Sequence, residues 1–244
     1  MKIYDKKIII SGNIVEVYSY NQKQIKREVR EPKIDSNGVS DEKLKEYSKK
    51  NGYKRKRRLR RLINSNSDVL DKFFTLTFKN NIKNLDFAYY ELEKFKKRLK
   101  YYLDKNNIKK SFKYVVVVEF QKRGAVHFHM LCNLPFIKAK VLHKMWRNGF
   151  VKINKIDDVD NVGAYVVKYM GKTFDDSRLQ GRKRYNRSRN LKEPEEVLDK
   201  KRVAEILSQL PSEKLIFDKK FNNEYVGDIH YQQYNLKRNS FGRE

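Results

Sequence analysis

His127 and His129 are separated by a single residue, Phe128. In an extended strand, alternate side chains leave the same face, so this spacing directs two imidazoles toward one point. Glu119 precedes them across Gln121-Lys122-Arg123-Gly124. If Lys122-Arg123-Gly124 is a three-residue hairpin loop with glycine in the left-handed position, Gln121 pairs with Ala125 and Glu119 falls opposite His127. Opposed Cβ atoms lie only ~4.5–5.5 Å apart. Two imidazoles and a carboxylate so placed form a compact three-ligand set with open positions, suited to Mg²⁺, Mn²⁺ or Zn²⁺. A His-x-His pair also occurs as strand decoration. What sets this one apart is an acidic residue at the matching position in a chain with few histidines.

A second constellation lies in Tyr165-Val166-Val167-Lys168-Tyr169. On a helix, Tyr165, Lys168, Tyr169 and Lys172 share one face and Val162, Val166, Val167 and Met170 the other. Phenols beside ammonium groups suit phosphodiester chemistry, because a tyrosine attacks phosphorus only when its phenol is aligned and activated. A metal ion polarises the phosphate and stabilises the leaving 3′ oxygen. The alternative on the helix alone is that both tyrosines pack against neighbours with wet hydroxyls. Gly171-Lys172-Thr173 ends like a phosphate-binding loop, but Val166 stands where the first glycine belongs and a helix precedes it, so no nucleotide site is expected. His143 and Trp146 read as a partly exposed histidine and a core indole.

These groups need elements to carry them. Phe73–Phe78 (FFTLTF) alternates as a half-buried strand does, and Asp86–Asp104 carries Ala88, Leu92, Phe95, Leu99 and Leu103 at helical spacing. Tyr114–Phe120 and Ala125–Cys132 read as paired strands. Lys138–Arg147 reads as a helix, Phe150–Ile153 as a short strand, and Asp158–Met170 as a further helix closed by Gly171. The order β-α-β-β-α-β predicts an α+β, ferredoxin-like antiparallel sheet with an added helix carrying the tyrosines. Parity puts Phe74, Leu76, Phe78, Val116, Val118, Phe120, Val126, Phe128 and Met130 on the face covered by two helices. Thr75, Thr77, Glu119, His127 and His129 then point to the opposite face, which is expected to stay open.

Charge divides the rest. The 244 residues hold 57 Lys and Arg against 30 Asp and Glu, a net charge of +27. Such an excess implies a polyanionic partner, most naturally nucleic acid, with a membrane surface as the rival. Residues 1–66 read as a basic arm with a hairpin turning at Gly12-Asn13 and a helix over Glu42–Ile63 without a continuous apolar face. Within it Lys54, Arg55, Lys56, Arg57, Arg58, Arg60 and Arg61 form a phosphate-binding run, the alternative being a solvated linker. Residues 67–175 form the patterned core. Residues 176–244 form a basic extension, with a helix near Pro194–Leu210 and a polar tail; Lys172, Arg182, Lys183 and Arg184 join the expected DNA contacts. No apolar run reaches the ~20 residues of a spanning helix. Cys132 is the only cysteine, which excludes an internal disulfide and fits a reducing, cytoplasmic compartment.

FFTLTF, EFQKRGAVHFHM and YVVKYMGK, in that order, resemble the three motifs of the HUH endonucleases, in particular rolling-circle replication initiators of bacterial plasmids and small DNA phages. The resemblance covers roughly Asp71 to Lys172. It implies a divalent ion, Mg²⁺ or Mn²⁺, held by His127, His129 and Glu119. It further implies Tyr165 as nucleophile, Tyr169 as the second tyrosine of the two-tyrosine class, and Lys168 as the residue orienting phosphate or metal-bound water. The implied activity is site-specific nicking and rejoining of single-stranded or hairpin origin DNA through a 5′-phosphotyrosine in a bacterial cell. Such initiators of eukaryotic viruses often carry a helicase domain with a Walker A sequence. This sequence holds neither, so a host helicase is the expected partner. The alternatives are a non-catalytic RNA- or DNA-binding sheet protein that stacks bases on aromatics, or a relaxase or transposase on the same scaffold.

Overall fold

The structure is a computed structural model that describes residues 2–26, 41–109, 111–156, 161–170, 176–179 and 182–238. The chain divides into two compact units, Met1–Lys50 with Lys192–Glu244, and Asn51–Leu191. No helix among the described residues is long and apolar enough to cross a membrane.

In the first unit the expected hairpin forms, from β1 (Lys2–Ser11) and β2 (Ile14–Lys26). The expected helix near Pro194–Leu210 begins later. Glu195–Val197 is strand β8, and α5 spans Lys200–Gln209, with the Asp199 carboxylate capping the Arg202 amide at 2.9 Å. The polar tail is a second hairpin, β9 (Leu215–Asn223) and β10 (Gly227–Asn235), and the sheet order is β8-β1-β2-β10-β9. Ile8, Val15 and Val17 pack with Val197 and Val203 of α5.

The second unit contains the predicted fold. Its sheet is built from β3 (Lys72–Thr77), β4 (Tyr114–Phe120), β5 (Val126–Cys132), β6 (Val151–Lys155) and β7 (Tyr185–Arg187). The order is β6-β3-β5-β4-β7 and every pairing is antiparallel. Its first four strands follow the ferredoxin-like arrangement, to which β7 adds an edge. Helix α2 (Leu85–Lys105) is capped by the Asn84 side chain on the Phe87 amide and buries Ala88, Leu92, Phe95, Leu99 and Leu103. With α3 (Ala139–Trp146) it covers the face bearing Phe74, Leu76, Phe78, Val116, Val118, Val126, Phe128 and Met130, as parity predicts. Trp146 is fully buried in that core, its indole N–H donating to the Thr77 carbonyl at 3.0 Å.

The opposite face departs from the expectation that it is open. Helix α1 (Asp41–Asn64) and helix α4 (Val162–Met170) cover one end of it, where Leu59, Leu62, Ile63, Val162 and Val166 pack on Phe73, Val115, Val117 and Leu131. The end of the basic run is therefore part of the core rather than a solvated arm. Leu59, Leu62 and Ile63 each contribute ~1.5–3 kcal/mol by leaving water. Only three apolar residues are needed because they fall at i, i+3 and i+4 and form a one-turn stripe.

Candidate active site

Register settles the geometry of the histidine strand. Glu119 pairs with His127, and Thr75 and Thr77 of β3 pair with His129 and His127. The hairpin loop closes as the spacing requires, with the Gln121 amide donating to the Ala125 carbonyl at 2.9 Å and the Gly124 amide to the Gln121 carbonyl at 2.8 Å. Gly124 has φ +84°, a conformation that needs the absence of a side chain. The five residues Thr75, Thr77, Glu119, His127 and His129 thus share the face that α4 partly covers.

Within this group the contacts run diagonally. The Glu119 carboxylate reaches past its paired His127 and accepts from His129 Nε2 at 2.5 Å. His129 Nδ1 lies 3.2 Å from the Thr75 hydroxyl. With the proton on Nε2, Nδ1 accepts from that hydroxyl, which fixes the ring. Phe73 stacks on the same ring, with centroids 5.5 Å apart and planes 13° from parallel. His127 Nε2 is buried and has no hydrogen-bond partner among the described residues. Burial first, and then the neighbouring His129, hold the His127 imidazole below the usual histidine range, which favours the neutral form that ligates metals.

Among the described residues, no three His, Cys, Asp or Glu side chains are drawn together as a finished metal cage. The donor set nevertheless fits a divalent ion. A buried imidazole nitrogen stands orphaned beside a histidine and a carboxylate whose Nε2 and Oε2 share one proton. An ion bound there would replace that proton and give His127 the partner it lacks.

Helix α4 is aimed by polar contacts that carry no sequence motif. Asn161 caps its first turn, its Oδ1 accepting from the Ala164 amide at 2.9 Å and from Asn64 Nδ2 at 3.0 Å. Asn64, the last residue of α1, accepts from the Gly163 amide at 2.7 Å. A Cβ at Gly163 would stand 2.3 Å from the Arg60 carbonyl oxygen and 2.6 Å from Asn64 Oδ1, so this close approach of α4 to α1 requires glycine. The predicted helix over Asp158–Met170 accordingly begins at Val162. Val162 and Val166 face the sheet, and Tyr165 is 40% exposed. The backbone of Lys168 and Tyr169 continues the helix, but their side chains lie outside the described residues, as do Lys172 and the expected closing Gly171.

The expected DNA contacts divide by location. Arg55 and Arg58 of α1 line an open groove of about 820 Å³ together with Lys183, Arg187 and Arg189. Lys54, Lys56, Arg57 and Arg60 line a second groove of about 370 Å³, next to Val167 of α4. Arg182 is paired with the Asp86 carboxylate at 2.5 and 3.1 Å, and Arg184 is buried, donating to the Asp176 carbonyl at 2.5 Å. Arg61 is half-buried near the end of α1. Sequence reasoning missed Lys152 as a site residue. It follows Thr75 and His129 in one cross-strand row, is exposed, and lies two strands from His129, ~10 Å away. Alternation along β6 is the signal that could have found it.

No curated protein and no solved structure matches the chain. Residues 71–174 match the model of a replication-associated protein family, the one named for ORF2. That segment begins just before β3 and runs past α4, so both histidines, Glu119 and Tyr165 fall inside it. The match supports a protein of the replication-initiator kind.

Proposed function

We propose that this protein initiates rolling-circle replication by nicking and rejoining single-stranded DNA. The observation that carries the reading is the grouping of Glu119, His127 and His129 on the sheet face partly covered by α4, the helix of Tyr165, inside a segment similar to replication-associated proteins. In this reading the Tyr165 phenol oxygen attacks the scissile phosphorus. A tyrosyl–phosphorus bond forms, the bond from phosphorus to the 3′ oxygen breaks, the phenol proton leaves to solvent or a nearby base, and the 3′ oxygen departs as a hydroxyl. Mg²⁺ or Mn²⁺ held by His127, His129 and Glu119 supplies positive charge against the phosphoryl and leaving oxygens. Thr75 and Phe73 keep the His129 ring in place. Asn64, Asn161 and Gly163 hold α4, so the phenol is presented without a search over orientations. Lys168, one turn from Tyr165, and Lys152 at the far strand supply cations for the flanking phosphates, and Tyr169 takes over in a second transfer. Rejoining is the reverse attack by a 3′-hydroxyl, and a host helicase unwinds the duplex.

A cleavage assay tests this. A labelled, randomised single-stranded DNA pool is incubated with the protein in Mn²⁺ or in EDTA. Cleavage with a 3′-hydroxyl and a protein-linked 5′ end, in Mn²⁺ only, is expected. Equal cleavage in EDTA, or cleavage without linkage, would contradict the reading.

A further inference from the structure

Helix α1 has a cross-section that the nicking chemistry does not use. At 100° per residue, Leu59, Leu62 and Ile63 point to the sheet. Arg55 and Arg58 fall on one flank, Lys56 and Arg60 on the other, and Lys54 and Arg57 on the outward side, where both are exposed. Each flank borders an open groove. The first takes Arg55 and Arg58 from α1 and Lys183, Arg187 and Arg189 from the far wall. The second takes Lys56, Arg57 and Arg60, with Tyr53 and Val167. The far wall is pre-arranged: Asp176 receives Arg178 through both carboxylate oxygens, Arg184 holds the Asp176 carbonyl, and β7 fixes Arg187 to the sheet opposite Val115.

A cationic helix with a cationic groove on either side matches the cross-section of double-stranded DNA. A helix is ~10–12 Å wide with its side chains, and the major groove of B-DNA is ~12 Å wide. The two phosphate backbones border that groove as the two channels border α1. The first groove is rich in guanidinium and ammonium groups and offers a single aromatic side chain, Tyr185, which is itself packed on the core. That lining suits phosphates rather than a stacked single strand.

We propose that α1 lies in the major groove of duplex DNA, with its flanking grooves taking the two backbones and Lys54 and Arg57 facing base edges. The duplex site is separate from the tyrosine site and gives the protein its choice of sequence. This rests on the reading that the protein acts on DNA, and it does not require cleavage.

The test is selection from a randomised 20-base-pair duplex pool in EDTA, followed by titrations at several salt concentrations with the selected duplex and with either of its single strands. Circular dichroism confirms folding of each variant. The wild type should enrich a sequence and prefer duplex over single strand. Lys54→Ala/Arg57→Ala should relax selection at one or two base pairs, with discrimination there falling about tenfold. Arg187→Ala/Arg189→Ala should keep the selected sequence while the log–log salt slope flattens by about 1.8, near 0.9 for each lost phosphate contact. Three results would overturn the proposal: no sequence enriched by the wild type, selection unchanged in the Lys54/Arg57 variant, or a single strand bound as tightly as the duplex. Because metal is absent throughout, a failed nicking reaction leaves this outcome unaffected, and the reverse holds.

Discussion

Glu119 is paired by register with His127 yet bonded to His129, at 2.5 Å along the diagonal of the hairpin. Diagonal positions are within reach of long side chains, and the Glu119 side chain spans that distance. The consequence is an asymmetric pair of histidines. One is held by a carboxylate and a hydroxyl, and the other has a buried nitrogen with no partner among the described residues. A divalent ion would resolve the asymmetry by drawing the carboxylate back toward His127.

Metal binding can be measured apart from catalysis. Titration calorimetry with Mn²⁺ should show one site in the wild-type protein and little or none in His127→Ala or Glu119→Gln. Thr75→Val removes only the hydroxyl that steadies His129 and should weaken binding about tenfold. Equal Mn²⁺ affinity in all three variants would remove the histidine hairpin from the metal account.

The approach of α4 to α1 gives a sharper structural prediction. Gly163→Ala places a methyl against the Arg60 carbonyl and Asn64 Oδ1, so the helix must shift, at a cost of about 1–3 kcal/mol. Asn64→Ala removes the Gly163 amide's acceptor and the donor to Asn161. Thermal denaturation should register both losses, and strand cleavage should fall further than the stability change explains, because Tyr165 is displaced. Cleavage at the wild-type rate in Gly163→Ala would show that the placement of α4 does not matter to the chemistry.

Much of this site was legible because its signals are local. The period-2 alternation in Phe73–Phe78, Tyr114–Phe120 and Val126–Cys132 fixed which side chains share a face, and one glycine in the loop fixed the register of Glu119 with His127. What was not legible depends on distant partners. Leu59, Leu62 and Ile63 sit in a basic run whose charges hide a one-turn apolar stripe. The Asn64, Asn161 and Gly163 contacts join residues almost a hundred positions apart through side-chain amides that carry no local pattern. The sheet of the first unit escaped for the same reason. β2 pairs with β10, near the other end of the sequence, and a polar strand such as β9 has no alternation strong enough to announce itself.

Acid should act on the turn that carries the first groove. Hydrogen bonding from Arg178 holds the Asp176 carboxyl below the usual aspartate range. A depressed carboxylate contributes stability above the ordinary value near 3.8, and that contribution is lost as pH falls through the lowered one. Asp176→Asn should therefore cost under about 1 kcal/mol at pH 7, with the difference from wild type shrinking toward zero in strong acid. Stability curves against pH, taken by denaturant titration, read this directly. A difference that grows on acidification would show that Asp176 does not act through its charge.

The central claim is that Tyr165 on α4 becomes covalently joined to DNA. The direct measurement is peptide mapping of the adduct trapped in a single turnover on single-stranded DNA with Mn²⁺, for the wild type, Tyr165→Phe and Tyr169→Phe. The account predicts DNA on the peptide containing Tyr165, loss of most adduct in Tyr165→Phe, and near-normal first cleavage with impaired second transfer in Tyr169→Phe. DNA found chiefly on Tyr169 would reverse the roles of the two tyrosines, and DNA on neither would contradict the covalent mechanism.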